Sequence, residues 1–135
     1  MSYILLVEDN QNNADIVIRL LESEGYTVKH YLNGLEGMRA ARTERPQMIL
    51  MDFNLPDIDG RNVVLVLKKQ LGGASAPPII AVTAKSGDME ERYARRMGCD
   101  AFVSKPIDPE AFLKLVNHYL KPNGDNDETT AEQQV

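Results

Sequence analysis

Two kinds of apolar pattern alternate along the first 120 residues of the chain. Short runs have the length and composition of buried β-strands, and they occupy residues 3–7, 27–31, 48–51, 78–82 and 101–103. Between these runs, apolar residues recur at spacings of three and four, which is typical of amphipathic helices. The pattern therefore predicts a strand followed by a helix, repeated five times.

The predicted helices begin and end at residues that suit helix boundaries. Asn10 suits the N-cap of the first helix, and Gly25 suits its end. Asp108 suits the N-cap of the fifth helix, with Pro109 at the first helical position. The three helices between them are predicted over residues 34–44, 59–71 and 87–97.

An apolar stripe on each helix is expected to pack on the sheet. In the second helix, Leu35, Met38 and Ala41 are expected to point inward. Leu65 of the third helix is expected to face outward, because its neighbours on the helix are polar or basic. The stripe of the fourth helix consists of Met89, Tyr93 and Met97.

Strand–helix alternation with nearly continuous apolar strands predicts an α/β fold, in which helices cover both faces of a parallel sheet. Right-handed crossover connections leave few arrangements of such a sheet. Residues 1–120 are expected to form this domain. Residues 121–135 are mostly acidic or polar and are expected to form a disordered tail.

Ionisable and hydroxyl side chains follow four of the five predicted strands. Glu8 and Asp9 follow the first strand, Asp52 the third, Thr83 the fourth, and Lys105 comes just after the fifth. The carboxyl ends of parallel strands share one edge of the sheet, and ligands bind at that edge. The sequence therefore predicts a cluster of three carboxylates, a hydroxyl and an ammonium group.

Three carboxylates at one edge repel one another, and a divalent cation removes that conflict. Carboxylate and carbonyl oxygens suit Mg²⁺, which often bridges to phosphate. With Mg²⁺ and Lys105 balancing the charge, Asp52 is a candidate nucleophile in phosphoryl transfer. The alternative is that Asp52 starts a turn and that Glu8 and Asp9 cap the first helix.

Four motifs, in order along the chain, resemble the receiver domains of two-component response regulators. They are LLVEDN at residues 5–10, MDFNLPDIDG at 51–60, AVTA at 81–84 and FVSKP at 102–106. The resemblance covers about residues 1–120 and is to chemotaxis-regulator-like receivers of the stand-alone, single-domain type. It implies a flavodoxin-like, doubly wound sheet of five parallel strands in the order 2-1-3-4-5, flanked by five helices.

The resemblance implies that Asp52 accepts a phosphoryl group from a sensor histidine kinase or a histidine phosphotransfer protein. Lys105 and Thr83 are expected to contact that group. Mg²⁺, or Mn²⁺ in its place, is expected to bind Glu8, Asp9, Asp52 and the backbone carbonyl of Asn54. Glu8 stands where Asp is also common in the family, and its longer arm is expected to hold the metal through water.

Thr83 and Phe102 are the switch pair that the resemblance implies. Phe102 has no hydroxyl group, so packing alone is expected to decide whether it points inward or outward. The Lys105–Pro106 bond is expected to be cis. Output is expected through a protein effector that binds the fourth helix, fifth strand and fifth helix, with a homodimer as a further possibility. The domain is expected to catalyse only its own phosphorylation and dephosphorylation.

Charge and composition narrow the classes of partner. The net charge is −5; residues 121–135 contribute one lysine against four acids, a net of −3, which leaves −2 for residues 1–120. This balance gives no support for direct nucleic-acid or membrane binding. One cysteine, Cys99, permits no intrachain disulfide. The sequence shows no leader and no spanning run, so a cytoplasmic location is expected.

Three other functions fit the named residues less well. A haloacid-dehalogenase-type phosphatase requires a second Asp two residues after the nucleophile, where this chain has Asn54. A flavodoxin-type cofactor binder requires a phosphate loop after the first strand, where Glu8 and Asp9 would repel phosphate. A receiver-like adaptor that is never phosphorylated does not require the full set of site residues.

Several other residues are expected to have no role at the site. Asp57 is expected to be a loop acid, Asp59 the N-cap of the third helix, and His30 neither a ligand nor a phosphoacceptor. Arginines on the fourth helix form either a solvated face or a partner surface; they are Arg92, Arg95 and Arg96. A stand-alone receiver and a receiver cut from a longer protein both fit the sequence.

Overall fold

Five parallel strands form the centre of the computed structural model, which describes residues 2–84 and 87–121. The strands are β1 (Ile4–Val7), β2 (Val28–Tyr31), β3 (Met48–Met51), β4 (Ile79–Thr83) and β5 (Ala101–Ser104). They pair in the order β2-β1-β3-β4-β5, and every neighbouring pair is parallel. The predicted fold class and strand order are confirmed.

Helices follow every strand in the described part of the chain. They are α1 (Gln11–Ser23), α2 (Gly34–Thr43), α3 (Gly60–Gln70), α4 (Asp88–Met97) and α5 (Pro109–Leu120), with a short 3₁₀ turn at Gly73–Ser75. Asn10, Asp59 and Asp108 accept hydrogen bonds from backbone N–H groups of α1, α3 and α5, as predicted for N-caps. Gly25, just beyond α1, has φ +88°, a left-handed conformation that favours glycine.

Two apolar layers lie on opposite faces of the sheet, because side chains alternate along each strand. Leu5 and Val7 of β1 pack in the layer that α2, α3 and α4 cover. Ile4 and Leu6 pack in the layer that α1 and α5 cover. The four residues of β1 and of β3 are apolar and buried, so neither of these strands carries a polar side chain before its carboxyl end.

Helix α2 packs against the sheet through a face that contains small residues. Gly34, Gly37 and Ala41 are buried and share one face of the helix. A Cβ atom at Gly37 would lie 2.5 Å from a methyl group of Val7, so only glycine permits this approach. The inward orientation predicted for Leu35 is therefore wrong: its side chain is 52% exposed.

Two of the three residues predicted for the stripe of α4 also point away from the core. Met89 and Tyr93 are 77% and 38% exposed, whereas Ala94 is the buried residue of this helix. Because α4 meets the sheet through this small side chain, its larger apolar residues remain at the surface. Leu65 of α3 is 38% exposed, as predicted.

The tail prediction concerns mainly residues 122–135, which lie outside the described residues. The domain boundary at residue 120 therefore stays a prediction. A membrane crossing needs a helix of roughly 20 predominantly apolar residues. None of the helices in residues 2–84 and 87–121 is long and apolar enough for that.

Candidate functional site

Parallel pairing brings the ends of β1 and β3 side by side. Val7 pairs with Met51, and each strand leaves the sheet one residue later, at Glu8 and Asp52. The backbone N–H of Asp52 donates to the carbonyl of Val7 over 3.0 Å, which continues the ladder to the edge. The sequence places an acid directly after two neighbouring buried strands, and the register places the two acids together.

Three carboxylates meet at this edge, as the sequence predicts. Glu8, Asp9 and Asp52 each offer an oxygen within 4.8 Å of the others. Glu8 and Asp52 are only 3% and 4% exposed, whereas Asp9 is exposed. Burial of two like charges without a cation is unfavourable, so this arrangement requires a positive partner.

Lys105 supplies a positive charge from the loop after β5. Its Nζ lies 2.6 Å from Oε1 of Glu8 and 3.2 Å from Oδ2 of Asp52. The Lys105–Pro106 peptide is cis, as predicted. The structure thus joins four of the predicted site residues: Glu8, Asp9, Asp52 and Lys105.

The pKa values of Glu8 and Lys105 are both raised, although burial and neighbouring charges act on each of them in opposite directions. Desolvation raises the pKa of Glu8 from 4.5 to about 7, although hydrogen bonds from Lys105 and from the backbone N–H of Asn10 act to lower it. Desolvation acts to lower the pKa of Lys105, but the bonds and charges of Glu8 and Asp52 outweigh it and raise the pKa. Lys105 therefore remains an ammonium group at neutral pH.

Backbone hydrogen bonds hold the orientation of both buried acids. The N–H of Asn10 donates to Oε2 of Glu8 over 3.1 Å, and the N–H of Asn54 donates to Oδ1 of Asp52 over 3.0 Å. Gly60 is required beside them, because a Cβ atom there would lie 2.2 Å from the carbonyl oxygen of Asp52. The β3–α3 loop therefore closes tightly around the phosphoacceptor candidate.

Thr83 and Phe102 lie on the face of the sheet that α4 covers. Thr83 is the last residue of β4 and is 1% exposed. Phe102 pairs with Ala81, two residues before Thr83, and packs half-buried against the apolar layer that contains Ala94 of α4. The predicted switch residues thus occupy neighbouring strands on one face, close to α4.

Two residues have contacts that the sequence did not predict. Nε2 of His30 lies 2.8 Å from the backbone carbonyl of Glu8, so β2 also steadies the loop after β1. Asp57 accepts hydrogen bonds from the backbone N–H groups of Gly34 and Leu35. The partner of each lies more than 20 residues away, and no local pattern marks such a contact.

The donor set fits a hard divalent cation. Three carboxylates within 4.8 Å of one another match the oxygen ligands that Mg²⁺ prefers, and the exposed Asp9 leaves room for the waters that this ion retains. Beside them, an open cleft of about 490 Å³ is lined by Asp9 and residues 53–59. The acidic pocket is therefore suited to Mg²⁺.

The raised pKa of Glu8 predicts a pH dependence of the metal-free protein. Between about pH 5 and 7 the folded protein keeps a proton on Glu8 that the unfolded chain has lost, so stability falls as pH rises. In Glu8→Gln this contribution disappears. We expect the free energy of unfolding of the wild type to fall relative to Glu8→Gln by about 1 kcal/mol per pH unit at the steepest point.

Urea unfolding of both proteins in a chelator, followed by circular dichroism across this pH range, measures the difference. Parallel curves for the two proteins would show that Glu8 titrates normally in the folded state.

Sequence comparison assigns this chain to a known family. The pattern of the family described as the response regulator receiver domain matches residues 4–117. The polar-differentiation response regulator DivK of Brucella anthropi is 38% identical over 117 residues, which is 87% of this chain and 94% of that protein.

Solved structures show the same fold. A CheY-like receiver domain protein of Methanospirillum hungatei is similar with a TM-score of 0.81 at 27% identity, covering 90% of this chain and 95% of the other. The receiver domain of a sensor histidine kinase of Pseudomonas aeruginosa, solved with magnesium coordinated in its active-site cleft, has a TM-score of 0.79 at 30% identity. That comparison covers 89% of this chain and 98% of the other. This chain therefore belongs to the response regulator receiver domains, the phosphoacceptor modules that act with histidine kinases or phosphotransfer proteins in two-component signalling.

Proposed function

We propose that Asp52 is the residue of this receiver domain that accepts the phosphoryl group. The observation that carries the proposal is the position of its buried carboxylate, 3.2 Å from the Lys105 ammonium and in one cluster with Glu8 and Asp9. Among these acids, Asp52 is the one that both follows the central strand β3 and contacts Lys105 and the N–H of Asn54. The domain is proposed to be a regulatory phosphoacceptor that catalyses only its own phosphorylation and dephosphorylation.

The proposed metal ligands are Glu8, Asp9, Asp52 and the backbone carbonyl of Asn54. Glu8 is held toward Lys105 in the structure, which supports its contact with the metal through water. When bound, Mg²⁺ supplies charge that neutralises the phosphoryl oxygens. The same oxygen donors also accept Mn²⁺.

The chain's own residues then have distinct roles in the transfer. A carboxylate oxygen of Asp52 attacks the phosphorus of a phosphohistidine, the phosphorus–nitrogen bond breaks, and the imidazole leaves with the bonding electron pair. The ammonium group of Lys105 leaves Glu8 and binds a phosphoryl oxygen, where its positive charge balances the negative charge of the phosphoryl group. The hydroxyl group of Thr83 donates to a second phosphoryl oxygen.

Thr83 and Phe102 are proposed to carry the change to the surface. Thr83 ends β4 and Phe102 packs beside α4. A new hydrogen bond at the Thr83 hydroxyl group would therefore change the contacts of the Phe102 side chain. Phosphorylation would then shift an existing equilibrium between two arrangements of α4. Packing decides the position of Phe102, because this side chain has no hydrogen-bonding group.

The proposed output surface consists of α4, β5 and α5. On α4, the exposed residues Met89, Arg92, Tyr93 and Arg96 line one shallow cavity of about 230 Å³. Arginine, tyrosine and methionine are enriched at protein interfaces. A downstream protein effector is therefore proposed here, with a homodimer as the second occupant. The receiver is proposed to act in the cytoplasm.

Replacing the phosphoacceptor tests the central assignment. We expect the wild type to gain one phosphoryl group from acetyl phosphate with Mg²⁺, and Asp52→Asn to gain none. Asp15→Asn, which removes an acid of α1 that hydrogen-bonds to Gln11, is the matched control and should behave as the wild type. Intact-mass spectrometry measures the uptake, and equal uptake by wild type and Asp52→Asn would refute the assignment.

The proposed ligand set predicts a loss of metal affinity in Asp9→Asn. Removing one carboxylate from the cluster should weaken Mg²⁺ binding by roughly tenfold, which corresponds to an interaction worth about 1.4 kcal/mol. Isothermal titration calorimetry gives the affinity, with Asp15→Asn again as control. Unchanged affinity in Asp9→Asn would remove this residue from the metal site.

The switch assignment predicts that phosphorylation and the response of α4 can be separated. Thr83→Ala should still accept the phosphoryl group at Asp52, but the change in backbone hydrogen exchange across α4 and β5 should be lost. Ser104→Ala is the matched control, because Ser104 is the register partner of Thr83 on β5. Hydrogen-exchange mass spectrometry before and after phosphorylation measures the response, and a wild-type response in Thr83→Ala would exclude the switch role.

A further inference from the structure

The β3–α3 loop is joined at its tip to the first turn of α2. Oδ1 of Asp57 accepts a hydrogen bond from the N–H of Gly34 over 2.9 Å, and Oδ2 accepts one from the N–H of Leu35 over 3.0 Å. The next N–H of the helix, that of Glu36, donates to Oδ1 of Asn33 over 2.9 Å. Two side chains therefore cap this helix, one from its own N-cap position and one from the β3–α3 loop.

Packing reinforces the contact between the loop and α2. A Cβ atom at Gly34 would lie 2.4 Å from a methyl group of Ile58 and 3.2 Å from one of Leu55. The first residue of α2 thus lies directly on the loop, and only glycine leaves room for this approach. Asp57 sits between these two loop residues, so its carboxylate and their side chains act on the same turn of helix.

The same loop carries the backbone next to the phosphoacceptor. Asn54 donates its N–H to Oδ1 of Asp52 and pairs with Asp59 in a single antiparallel bridge. The N–H of Gly60 donates to the carbonyl of Phe53 over 3.0 Å. The segment is therefore closed on itself near β3, and Asp57 lies at the outer end of the closed segment.

We propose that Asp57 is a positioning residue for the metal and phosphoryl site, acting through the backbone of Asn54. The proposal rests on the proposed function, because Asn54 is the residue whose carbonyl is assigned to the metal. Mg²⁺ demands near-ideal octahedral geometry, so a carbonyl that moves with a loosened loop binds it less well. By fastening the loop tip to α2, Asp57 restricts that movement.

A carboxylate suits this role better than a neutral group. It accepts two backbone N–H groups at once, and its negative charge is favourable at a helix N-terminus. Desolvation acts to raise the pKa of Asp57, but the backbone hydrogen bonds, those from Gly34 and Leu35 first among them, outweigh it and lower the pKa. Asp57 therefore stays ionised at neutral pH, and the contact does not depend on protonation there.

The coupling must act in both directions. If the contact between Asp57 and α2 favours metal binding, metal binding must favour the contact by the same factor. Mg²⁺ should therefore slow hydrogen exchange at the N–H groups of Gly34 and Leu35, which lie in a different element from every proposed ligand. A cap that serves only the stability of α2 predicts no such effect.

The matched pair Asp57→Ala and Asn33→Ala tests the proposal. Each variant removes one side-chain cap from the same helix, but only Asp57→Ala releases the loop. We expect both to lower the urea midpoint similarly. We expect Asp57→Ala to weaken Mg²⁺ binding roughly tenfold, the lower end of the loss seen when a group that orients a ligand is removed. Mg²⁺ binding to Asn33→Ala should match the wild type.

Two further readouts separate positioning from general stability. Asp57→Asn keeps an oxygen acceptor and should recover part of the Mg²⁺ affinity that Asp57→Ala loses, which also provides a folded variant if the alanine protein unfolds. With acetyl phosphate, Asp57→Ala should need a higher Mg²⁺ concentration for half-maximal phosphorylation. The fold-increase in that concentration should exceed the fold-decrease in the phosphorylation rate at saturating Mg²⁺. In the same variant, Mg²⁺ should no longer slow exchange at Gly34.

Equal Mg²⁺ affinities of Asp57→Ala and Asn33→Ala would overturn the positioning role. If the wild type is phosphorylated while the affinities are equal, the positioning role alone fails. If the wild type binds Mg²⁺ but gains no phosphoryl group, the assignment of Asp52 fails, and the Mg²⁺ affinities still decide the role of Asp57. A wild type that does not bind Mg²⁺ would contradict both.

Discussion

The repulsion between buried carboxylates at one edge of the sheet is the constraint on which the site depends. Glu8 and Asp52 are almost completely buried, so both can be ionised together only with a cation within bonding distance. Lys105 occupies that position in the structure, between the two acids. The proposed divalent cation and phosphoryl group would bring further charge of both signs and would compete for the contacts of Lys105.

The sheet makes this balance possible because it separates apolar packing from charge along each strand. β1 and β3 are fully buried, and the first acids come directly after their last paired residues. Three glycines then allow close approaches that a side chain would prevent. Gly37 brings α2 onto Val7, Gly34 brings it onto the β3–α3 loop, and Gly60 lets α3 begin against the carbonyl of Asp52. The acids are held by elements that are themselves tightly packed.

Hydrophobic periodicity predicted the strands and helices here because the buried strands are continuous and the helix caps are local. The strand order came from the resemblance of the four motifs to receiver domains. The cluster of Glu8, Asp9, Asp52 and Lys105 was predictable because strand ends in a parallel sheet share an edge. The outward positions of Leu35 and Met89 were not, because glycine and alanine make the inward contacts and small residues carry no signal in an apolar pattern. The contact of Asp57 with α2 was also missed, since it joins residues 23 positions apart.

Helix α4 packs against the core through a small side chain, and this affects how its outer surface can change in evolution. The buried residue of this helix is Ala94, while Met89, Arg92, Tyr93 and Arg96 lie at the surface. Substitutions at exposed positions away from special contacts usually change stability by less than about 0.5 kcal/mol. Substitutions at Met89, Arg92 and Arg96 are therefore expected to leave the fold intact, whereas Tyr93 also contacts Arg61 through its ring. If α4 is the output surface, as proposed, a duplicated copy of this receiver could acquire a new binding partner without any change at its acidic site.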